Sequence, residues 1–235
     1  MNSAPPSLSL IVFAYDEAEN IAPVLGELHA WLLSHEPEAE IVFVDDGSHD
    51  DTLQRARQAL AGARATFLRH ERNLGIGAAL KTGVRACSAD WVTFLPADGQ
   101  IEPTAIGSLR AAASGGDVDV VLSTYAARDD GAHRKLLSFG VRALIFCVHG
   151  VRMRSDGPYL FRRELFIPEQ LKPDTFFLNF EFPIRVLAAR RRSRNVVIQC
   201  RPRRAGSSKS TGWRRIAGVG KELIELRVRR LREGW

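Results

Sequence analysis

Residues 40–48 read EIVFVDDGS, an apolar run that ends abruptly in two aspartates. Its β-branched and aromatic residues predict a buried strand followed by a polar turn. Two other stretches repeat the arrangement: residues 7–14 (SLSLIVFA) lead into Tyr15-Asp16-Glu17, and residues 91–95 (WVTFL) lead into PADGQ. Continuous apolar runs of this kind are typical of strands in a parallel sheet, which is covered on both faces.

Stretches with helical periodicity separate these strands. In residues 20–34, apolar side chains recur at the three- and four-residue spacing of one helix face. The same spacing predicts helices at 50–61, 77–86 and 103–113, with further strands at 65–68 and 118–123. Strands that alternate with helices need crossover connections. The sequence therefore predicts an α/β fold with a Rossmann-like, mostly parallel central sheet and helices on both faces.

Carboxylates collect where the predicted strands end. Glu17, Asp46 and Asp98 each follow a different strand. In an open α/β sheet, ligands bind in the crevice outside the carboxyl ends of the strands. Hard oxygen ligands suit Mg²⁺ or Mn²⁺, which take one or two protein carboxylates together with phosphate oxygens. We therefore expect one site for a diphosphate and a divalent cation, with Asp98 and Gln100 both facing the metal.

The second half of the chain has a looser pattern. Helices are predicted near 136–148 and 179–189, and a strand at 196–200; residues 201–211 read as a basic loop. Residues 213–231 return to helical spacing, with a basic opposite face. We divide the chain into a half that contains the predicted diphosphate site (1–123), a second half of the same domain (124–212), and a basic amphipathic C-terminal helix (213–235).

Charge is unevenly distributed along the 235 residues. Residues 185–235 contain 16 Lys or Arg against three Glu, although the whole chain has a net charge of only +6. A basic end on an acidic body indicates a phosphate-bearing partner, with a solvated basic tail as the alternative. The three cysteines have no metal-like spacing and are expected to be reduced. No signal peptide or membrane span is expected, which favours a cytoplasmic protein, either free or peripheral on the membrane face.

Five segments occur in the order found in one enzyme family. They are FAYDEAENI, VDDGSHDDT, RNLGIGAALKTG, ADWVTFLPADGQ and RPRRAGSSK, and they span residues from about 10 to 209. Together they resemble the inverting family-2 glycosyltransferases of GT-A fold. Within that family they are most similar to dolichyl- and polyprenyl-phosphate mannosyl- or glucosyltransferases.

The resemblance implies roles for individual residues. It places the catalytic functions on Asp98, Arg203 and Lys209, with the last two in a basic loop over the diphosphate and the acceptor phosphate. It also implies a glutamate role, structural or on the sugar side, for Glu181, and a phosphate contact for Arg128. Asp156 is either an active-site carboxylate or a loop cap. The implied donor-binding set is Phe13, Tyr15, Glu17, Val44, Asp46, Ala97, Asp98, Gln100, Arg203 and Lys209.

Four features depart from the family pattern, one of which is the absence of an arginine that the family has near Tyr125. Pro96 stands where the family has the first aspartate of its D-x-D motif, which removes one expected metal contact. Phe13 replaces a proline, and Asp16 replaces an asparagine. Asp45 is as well explained by loop ordering as by function. The histidines, including His49, His70 and His149, show no ligand spacing and are expected to be incidental.

The implied activity is transfer of a hexose from GDP-mannose or a UDP-hexose to a polyprenyl or dolichyl phosphate, with inversion. A monophosphate is mostly ionised at neutral pH, so this acceptor needs cationic positioning more than a general base. Two alternatives remain: a soluble or polysaccharide acceptor, and a degenerate member that binds nucleotide sugars without turnover.

The basic amphipathic helix at 213–231 suits an anionic membrane surface or a membrane partner protein. Alternatively, its apolar stripe packs on the body of the protein. Nucleic acid is not expected as a partner, because the basic region contains few aromatic residues beyond Trp213 and Trp235.

Overall fold

The computed structural model describes residues 6–126, 132–201 and 213–235; within these ranges, the side chains of 132–139 and 213–217 are not described. The chain forms one seven-stranded sheet. Its strands are β1 (Ser9–Ala14), β2 (Glu40–Asp45), β3 (Ala65–Arg69), β4 (Trp91–Pro96), β5 (Val120–Tyr125), β6 (Leu160–Arg162) and β7 (Ser193–Ile198).

Seven α-helices connect or follow the strands in the described part of the chain. They are α1 (Ala18–His35), α2 (Thr52–Ala59), α3 (Ile76–Ala86), α4 (Thr104–Ala113), α5 (Ala132–His149), α6 (Leu178–Ala188) and α7 (Trp213–Glu233). Short 3₁₀ turns at Arg163–Leu165 and Pro168–Gln170 follow β6. Of the described helices, none combines the length and the apolar character that a bilayer crossing demands.

The sheet is mostly parallel, as predicted. Its strand order is β3-β2-β1-β4-β6-β5-β7, in which β6 alone runs antiparallel to its neighbours. β6 is only three residues long and pairs with the first halves of β4 and β5. Beyond it, the segment before β6 fills the space between these strands, where the Ser123 hydroxyl donates to the Pro158 carbonyl and the Thr93 hydroxyl to the Tyr159 carbonyl.

Alternate residues of the central strands feed two apolar layers, one on each face. Along β1, Leu10 and Val12 pack under α1, α2 and α4, whereas Ile11 and Phe13 pack under α3 and α6. This two-sided burial explains why the strands read as continuous apolar runs. It also confirms the predicted helices on both faces of the sheet.

The helices at the end of the chain share a third apolar cluster. Ile145 of α5, Ile184 of α6 and Leu223 and Leu226 of α7 are its buried members from these helices. The packing alternative is therefore correct for one face of the C-terminal helix. The three cysteines are free, as expected: Cys87 is buried, Cys147 is exposed and Cys200 is intermediate.

The sequence placed most elements within a few residues of their observed bounds. The largest shifts are at the start of α5, which begins at Ala132 instead of about 136, and in β7, which covers Ser193–Ile198 instead of the predicted 196–200. Its first residues, Ser193, Arg194 and Asn195, are exposed on the edge of the sheet, so they lack the apolar pattern that marks a strand.

Candidate active site

The turns that follow β1, β2 and β4 lie side by side at one edge of the sheet. In the parallel ladders, Phe13 is paired with Val44 on one side and with Pro96 on the other. The ladders continue past the strands, since the Asp46 amide donates to the Ala14 carbonyl at 2.9 Å and the Ala97 amide to the Phe13 carbonyl at 3.3 Å. The predicted convergence of three strand ends is thus observed in the backbone.

Asp46 orders a neighbouring loop with its carboxylate. One oxygen accepts from the Leu74 amide at 2.9 Å and from His70 Nδ1 at 2.7 Å, and the other accepts from the Gly75 amide at 2.9 Å. The side chain is buried. The backbone of this loop packs closely on the turn, since a Cβ on Gly47 would lie 2.3 Å from the Arg72 carbonyl carbon. Asp46 therefore has a structural function, which is to hold the loop of residues 70–75 against the turn after β2.

His70 is not incidental, so the expectation for this histidine was wrong. Its Nδ1 donates to Asp46, and its Nε2 lies 2.9 Å from the Thr82 hydroxyl on α3. The ring therefore bridges the turn after β2 to a helix on the sheet face. No motif announces this role, because its partners lie 24 residues before and 12 residues after it in the sequence.

The first aspartate of the pair, Asp45, also serves the turn. Its Oδ1 accepts from the Ser48 amide at 3.1 Å. Arg69 Nε lies 3.2 Å from Asp45 Oδ2. The two groups form an ion pair without the geometry of a hydrogen bond. Since Asp45 is fully buried, these contacts favour loop ordering over ligand binding.

The turn after β1 is held against the start of α2. Asp16 adopts a positive φ of 49°, and its carboxylate accepts from the His49 amide at 2.8 Å. The Glu17 amide donates to the Thr52 hydroxyl at 2.8 Å, and the Glu17 carboxylate accepts from Asn20 Nδ2 at 2.7 Å. Partial desolvation, together with the negative charge of Asp16, raises the pKa of the neighbouring Tyr15 phenol.

Two predicted donor-binding residues are mainly part of the core. Val44 is fully buried under α3, and Phe13 is buried with its ring centroid 6.0 Å from that of Phe94. Tyr15 and Glu17 retain partial exposure at the same edge. The solvent-accessible part of the predicted nucleotide pocket thus lies at the turn after β1.

The turn after β4 orients Asp98. Ala97 and Asp98 are buried, Gly99 has a φ of 69°, and the Gln100 amide donates to Asp98 Oδ1 at 3.1 Å. In the described residues, no group of three or more His, Cys, Asp or Glu side chains is placed to hold a metal on its own. A single fixed carboxylate still fits Mg²⁺ or Mn²⁺, which take few protein ligands and complete their shell with phosphate and water.

Arg201 connects the end of the β7 segment to this turn. Its amide donates to the Gln100 carbonyl at 2.9 Å and its Nε donates to the Gly99 carbonyl at 2.7 Å. The basic loop that contains Arg203 and Lys209 begins here, but both residues lie outside the described part of the chain, as does Arg128.

A sequence profile of glycosyl transferase family 2 matches residues 9–195. The chain belongs to this family. The matched region includes all three turns described above and ends at Asn195, the third residue of β7.

Two relatives of this family 2 chain have named functions. A dodecaprenyl-phosphate galacturonate synthase from Rhizobium johnstonii is 28% identical over 153 residues, which are 64% of this chain and 45% of the relative. An undecaprenyl-phosphate 4-deoxy-4-formamido-L-arabinose transferase from Pseudomonas savastanoi pv. phaseolicola is 32% identical over 162 residues, 67% of this chain and 48% of the relative. The chain therefore spans about half the length of the curated relatives it matches.

Solved structures show the same fold. Glucosyl-3-phosphoglycerate synthase from Mycobacterium tuberculosis, in complex with Mn²⁺, UDP-glucose and phosphoglyceric acid, superposes with a TM-score of 0.70. The identity is 21%, and the match covers 96% of this chain and 79% of that protein. The family 2 chain thus has the GT-A fold that its motifs predicted.

Two further carboxylates from the sequence analysis have contrasting environments. The Asp156 amide donates to the Ser123 carbonyl, and the Asp156 carboxylate forms a 2.6 Å ion pair with Arg142 of α5. Asp156 thus lies in the segment before β6, tied to β5 by its amide and to α5 by its carboxylate, and a third of its side chain is exposed. Glu181 is fully buried and pairs with Arg185 and with Arg229 of α7, which is the structural role and not the sugar-side one.

A cavity of about 620 Å³ lies away from these turns. Its lining includes Arg85 at the end of α3, Asp90 just before β4, and Glu169 in the segment after β6. It therefore opens at the amino end of β4, the opposite edge from Asp98. Arg85 and Glu169 pair across it at 2.9 Å, so much of its charge is internally neutralised.

Proposed function

We propose that this chain carries the catalytic domain of a glycosyltransferase that moves a hexose from a nucleotide sugar to a polyprenyl phosphate, with inversion. The observation that carries the proposal is the row of turns after β1, β2 and β4, in which Asp98 is buried, oriented and adjacent to the start of the basic loop. The relatives named above act on dodecaprenyl and undecaprenyl phosphates, which supports a lipid-linked acceptor.

The donor would lie across this edge of the sheet. Tyr15 and Glu17 are proposed to contact the base and ribose. The buried side chains of Phe13, Val44 and Asp46 would form the floor of this pocket. Ala97 would approach the diphosphate through its backbone. Residues 1–123 would thus form the donor-binding half and 124–212 the acceptor-side half of one domain. A structural neighbour in complex with UDP-glucose supports a uridine donor.

A divalent cation is proposed at Asp98 and Gln100. Structural neighbours are described with Mn²⁺ or Mg²⁺ and UDP, which supports this class of ion. When bound, the cation would neutralise charge on the leaving diphosphate. The chain's own contribution is one carboxylate, held by the Gln100 amide and lacking the additional aspartate that Pro96 replaces.

The acceptor chemistry requires cations more than a base. A monophosphate oxygen is mostly deprotonated at neutral pH because its second pKa is about 6. Arg203 and Lys209 are therefore proposed to position the acceptor phosphate and to stabilise charge on the departing diphosphate. Inversion follows if the phosphate attacks the anomeric carbon from the face opposite the nucleotide.

The direct test uses labelled GDP-mannose, UDP-glucose and other UDP-hexoses with a short polyprenyl phosphate and Mn²⁺ or Mg²⁺. Labelled product should extract into organic solvent. Asp98→Ala should abolish turnover, whereas Asp90→Ala, which removes an exposed carboxylate at the other end of the same strand, should not. Transfer to phosphoglyceric acid instead of the lipid phosphate would overturn the acceptor, and full activity of Asp98→Ala would overturn the metal site.

We also propose that the outer face of α7 lies on an anionic membrane surface. Leu223 and Leu226 are buried against the body, but Ile224, Val228 and Leu231 are 59%, 40% and 68% exposed. Their four- and three-residue spacing places them on one face of the helix. The flanking basic side chains, such as the exposed Lys221 and Arg232, suit anionic headgroups.

Vesicle flotation tests this membrane contact. Changing Ile224, Val228 and Leu231 together to glutamine should abolish flotation with phosphatidylglycerol-containing vesicles while leaving the melting temperature nearly unchanged. A control with Leu33→Gln and Leu74→Gln removes exposed apolar side chains elsewhere on the body and should float like the wild type. Equal flotation of the triple variant and the control would refute the contact; binding to a membrane protein but not to lipid would assign the face to a protein partner.

A further inference from the structure

We propose that Arg201 is a positioning residue for the cation and diphosphate, because it fixes the turn that contains Asp98 and Gln100. This inference rests on the proposed function for its chemical meaning. Arg201 is the first residue of the RPRRAGSSK segment, but the sequence analysis assigned it neither a role nor a ligand contact.

Arg201 makes a set of directed contacts. Its two terminal guanidinium nitrogens donate to the two carboxylate oxygens of Glu27 on α1, at 3.0 and 2.7 Å. Its Nε donates to the Gly99 carbonyl at 2.7 Å, and its backbone amide donates to the Gln100 carbonyl at 2.9 Å. Glu102, just beyond the turn, lies 3.9 Å from the guanidinium. One residue thus joins the turn to a helix from the first part of the chain.

The turn needs such support. Gly99, at its centre, has a positive φ of 69°, and its residues leave the sheet ladder immediately after the Ala97 amide. The amide of Gln100 reaches back to Asp98, so any movement of the Gly99–Gln100 peptide would also move the carboxylate that is proposed to bind the metal. Arg201 holds both carbonyls of this dipeptide.

The contact of Arg201 joins two segments that are distant in the sheet and in the sequence. β7 is separated from β4 by β6 and β5, so the chain must return across the top of the sheet between Ile198 and Arg201. Arg201 and Gly99 are 102 residues apart in sequence. All three guanidinium nitrogens of Arg201 donate hydrogen bonds, which fixes the side chain in one orientation between α1 and the turn.

Arginine is the side chain that this geometry requires. A planar guanidinium can satisfy both oxygens of a carboxylate and still direct Nε to a carbonyl, whereas a lysine ammonium acts as a point charge. Hydrogen bonding to Glu27 raises the pKa of Arg201, which keeps it charged at every relevant pH. We therefore expect Lys at this position to keep the charge and lose the orientation.

The chain offers a matched control pair. Arg110 of α4 pairs at 2.8 Å with Glu36, which directly follows α1. The side chains of Arg110 and Arg201 are equally exposed. Arg201→Lys and Arg110→Lys thus remove the same kind of guanidinium–carboxylate contact from two places. Only the first lies at the proposed metal turn.

Calorimetric titration of UDP and GDP at a series of Mn²⁺ concentrations is the test. For Arg201→Lys, the Mn²⁺ concentration for half-maximal nucleotide binding should rise about tenfold, and Glu27→Gln should produce a smaller change in the same direction. Arg110→Lys should leave it unchanged at a similar loss of melting temperature. Equal Mn²⁺ dependence of the two Lys variants would overturn the inference.

A second measurement separates this inference from the proposed function. Amide hydrogen exchange should be about tenfold faster for residues 99–101 in Arg201→Lys than in the wild type, and unchanged there in Arg110→Lys. If the wild type binds neither nucleotide, the proposed function fails, while faster exchange would still support Arg201 as the residue that fixes the turn. Unchanged exchange at 99–101 would overturn that role.

Discussion

Asp46 illustrates how a motif residue can serve the loop before it serves a ligand. The carboxylate accepts two backbone amides and one histidine nitrogen, and these bonds join the turn after β2 to the segment before α3. A buried carboxylate with several N–H donors is costly to alter because each donor loses its acceptor. The proposed role of Asp46 in donor binding is additional to this structural role.

Replacing Asp46 with Asn should destabilise the protein by about 2 kcal/mol, since an amide group must turn its own N–H donors towards at least one of the existing donors. Urea denaturation measures the change in the free energy of unfolding. Asp51→Asn is the control, because Asp51 is exposed just before α2 and caps no amide with its side chain. A destabilisation equal to that of the control would show that the bonds to Asp46 are not needed.

At this scale, the sequence predicted which residues collect at the strand ends but not what they contact. The positions of Asp46 and Asp98 follow from strands that read clearly as apolar runs. His70, which bonds to Asp46, and Arg201, which bonds to the turn that contains Asp98, come from distant segments. These contacts depend on tertiary packing, which local sequence patterns do not show. The predicted roles of Arg203 and Lys209 remain predictions.

At the scale of single elements, α7 has two apolar sides with different environments. The side with Leu223 and Leu226 packs in the third apolar cluster, and Arg229 reaches the fully buried Glu181 with two hydrogen bonds of 3.0 and 2.6 Å. Helical periodicity predicted this element well. It could not decide between docking and a free face, because both produce the same spacing of apolar residues.

Arg229→Ala should destabilise the docking of α7 by about 2 kcal/mol. Removing one partner leaves a buried carboxylate incompletely compensated, although Arg185 remains at 2.9 Å. Urea unfolding followed by tryptophan fluorescence suits this test, since the Trp235 ring lies 3.8 Å from the Arg185 guanidinium carbon. Arg232→Ala removes an exposed arginine from the same helix and should cost less than about 0.5 kcal/mol.

His149 makes the contact between α5 and α7 sensitive to pH. Its Nε2 donates to the Leu223 carbonyl at 3.0 Å, while its buried Nδ1 has no hydrogen-bond partner among the described residues. Burial is the main cause that lowers the pKa of His149, and the charges of Arg230 and Arg227 act in the same direction. The hydrogen bond to the Leu223 carbonyl and the charge of Glu181 oppose this shift without cancelling it. The folded protein therefore holds a neutral ring where the unfolded chain would bind a proton.

The free energy of unfolding should consequently fall as the pH drops below the ordinary histidine value of 6.5, and should be level above it with respect to this group. The unfolded state binds more protons in that window, so acid favours unfolding. His149→Gln should flatten the difference in denaturation midpoint between pH 7.5 and pH 5.5. A variant with the same pH dependence as the wild type would assign the effect to other groups.

For the whole molecule, the alternation of strands and helices was enough to predict a mostly parallel α/β sheet. The exception is β6, whose three residues are too few to show a period and whose antiparallel direction depends on neighbours 60 or more residues earlier in β4. The family match and the shared fold agree with the motif order.

Ligand binding should stabilise the whole domain if the proposed site is correct. Mn²⁺ together with UDP or GDP at about 100 times the dissociation constant should add about 2.7 kcal/mol to the free energy of unfolding. Differential scanning calorimetry should show the higher melting temperature only with both ligands present, and chelation with EDTA should reverse it. An increase that persists after chelation would indicate nucleotide binding without the cation.

The strand order leaves β3 and β7 as the two edges of the sheet, where backbone groups could pair with another chain. β7 carries the exposed Arg194 and Asn195, whose side chains donate to the Ala112 and Arg154 carbonyls. On β3, the Arg57 guanidinium covers the Phe67 ring at 4.8 Å. Charged and polar groups thus discourage edge-to-edge aggregation, so variants that replace them with β-branched residues should precipitate during concentration even where their fold is intact.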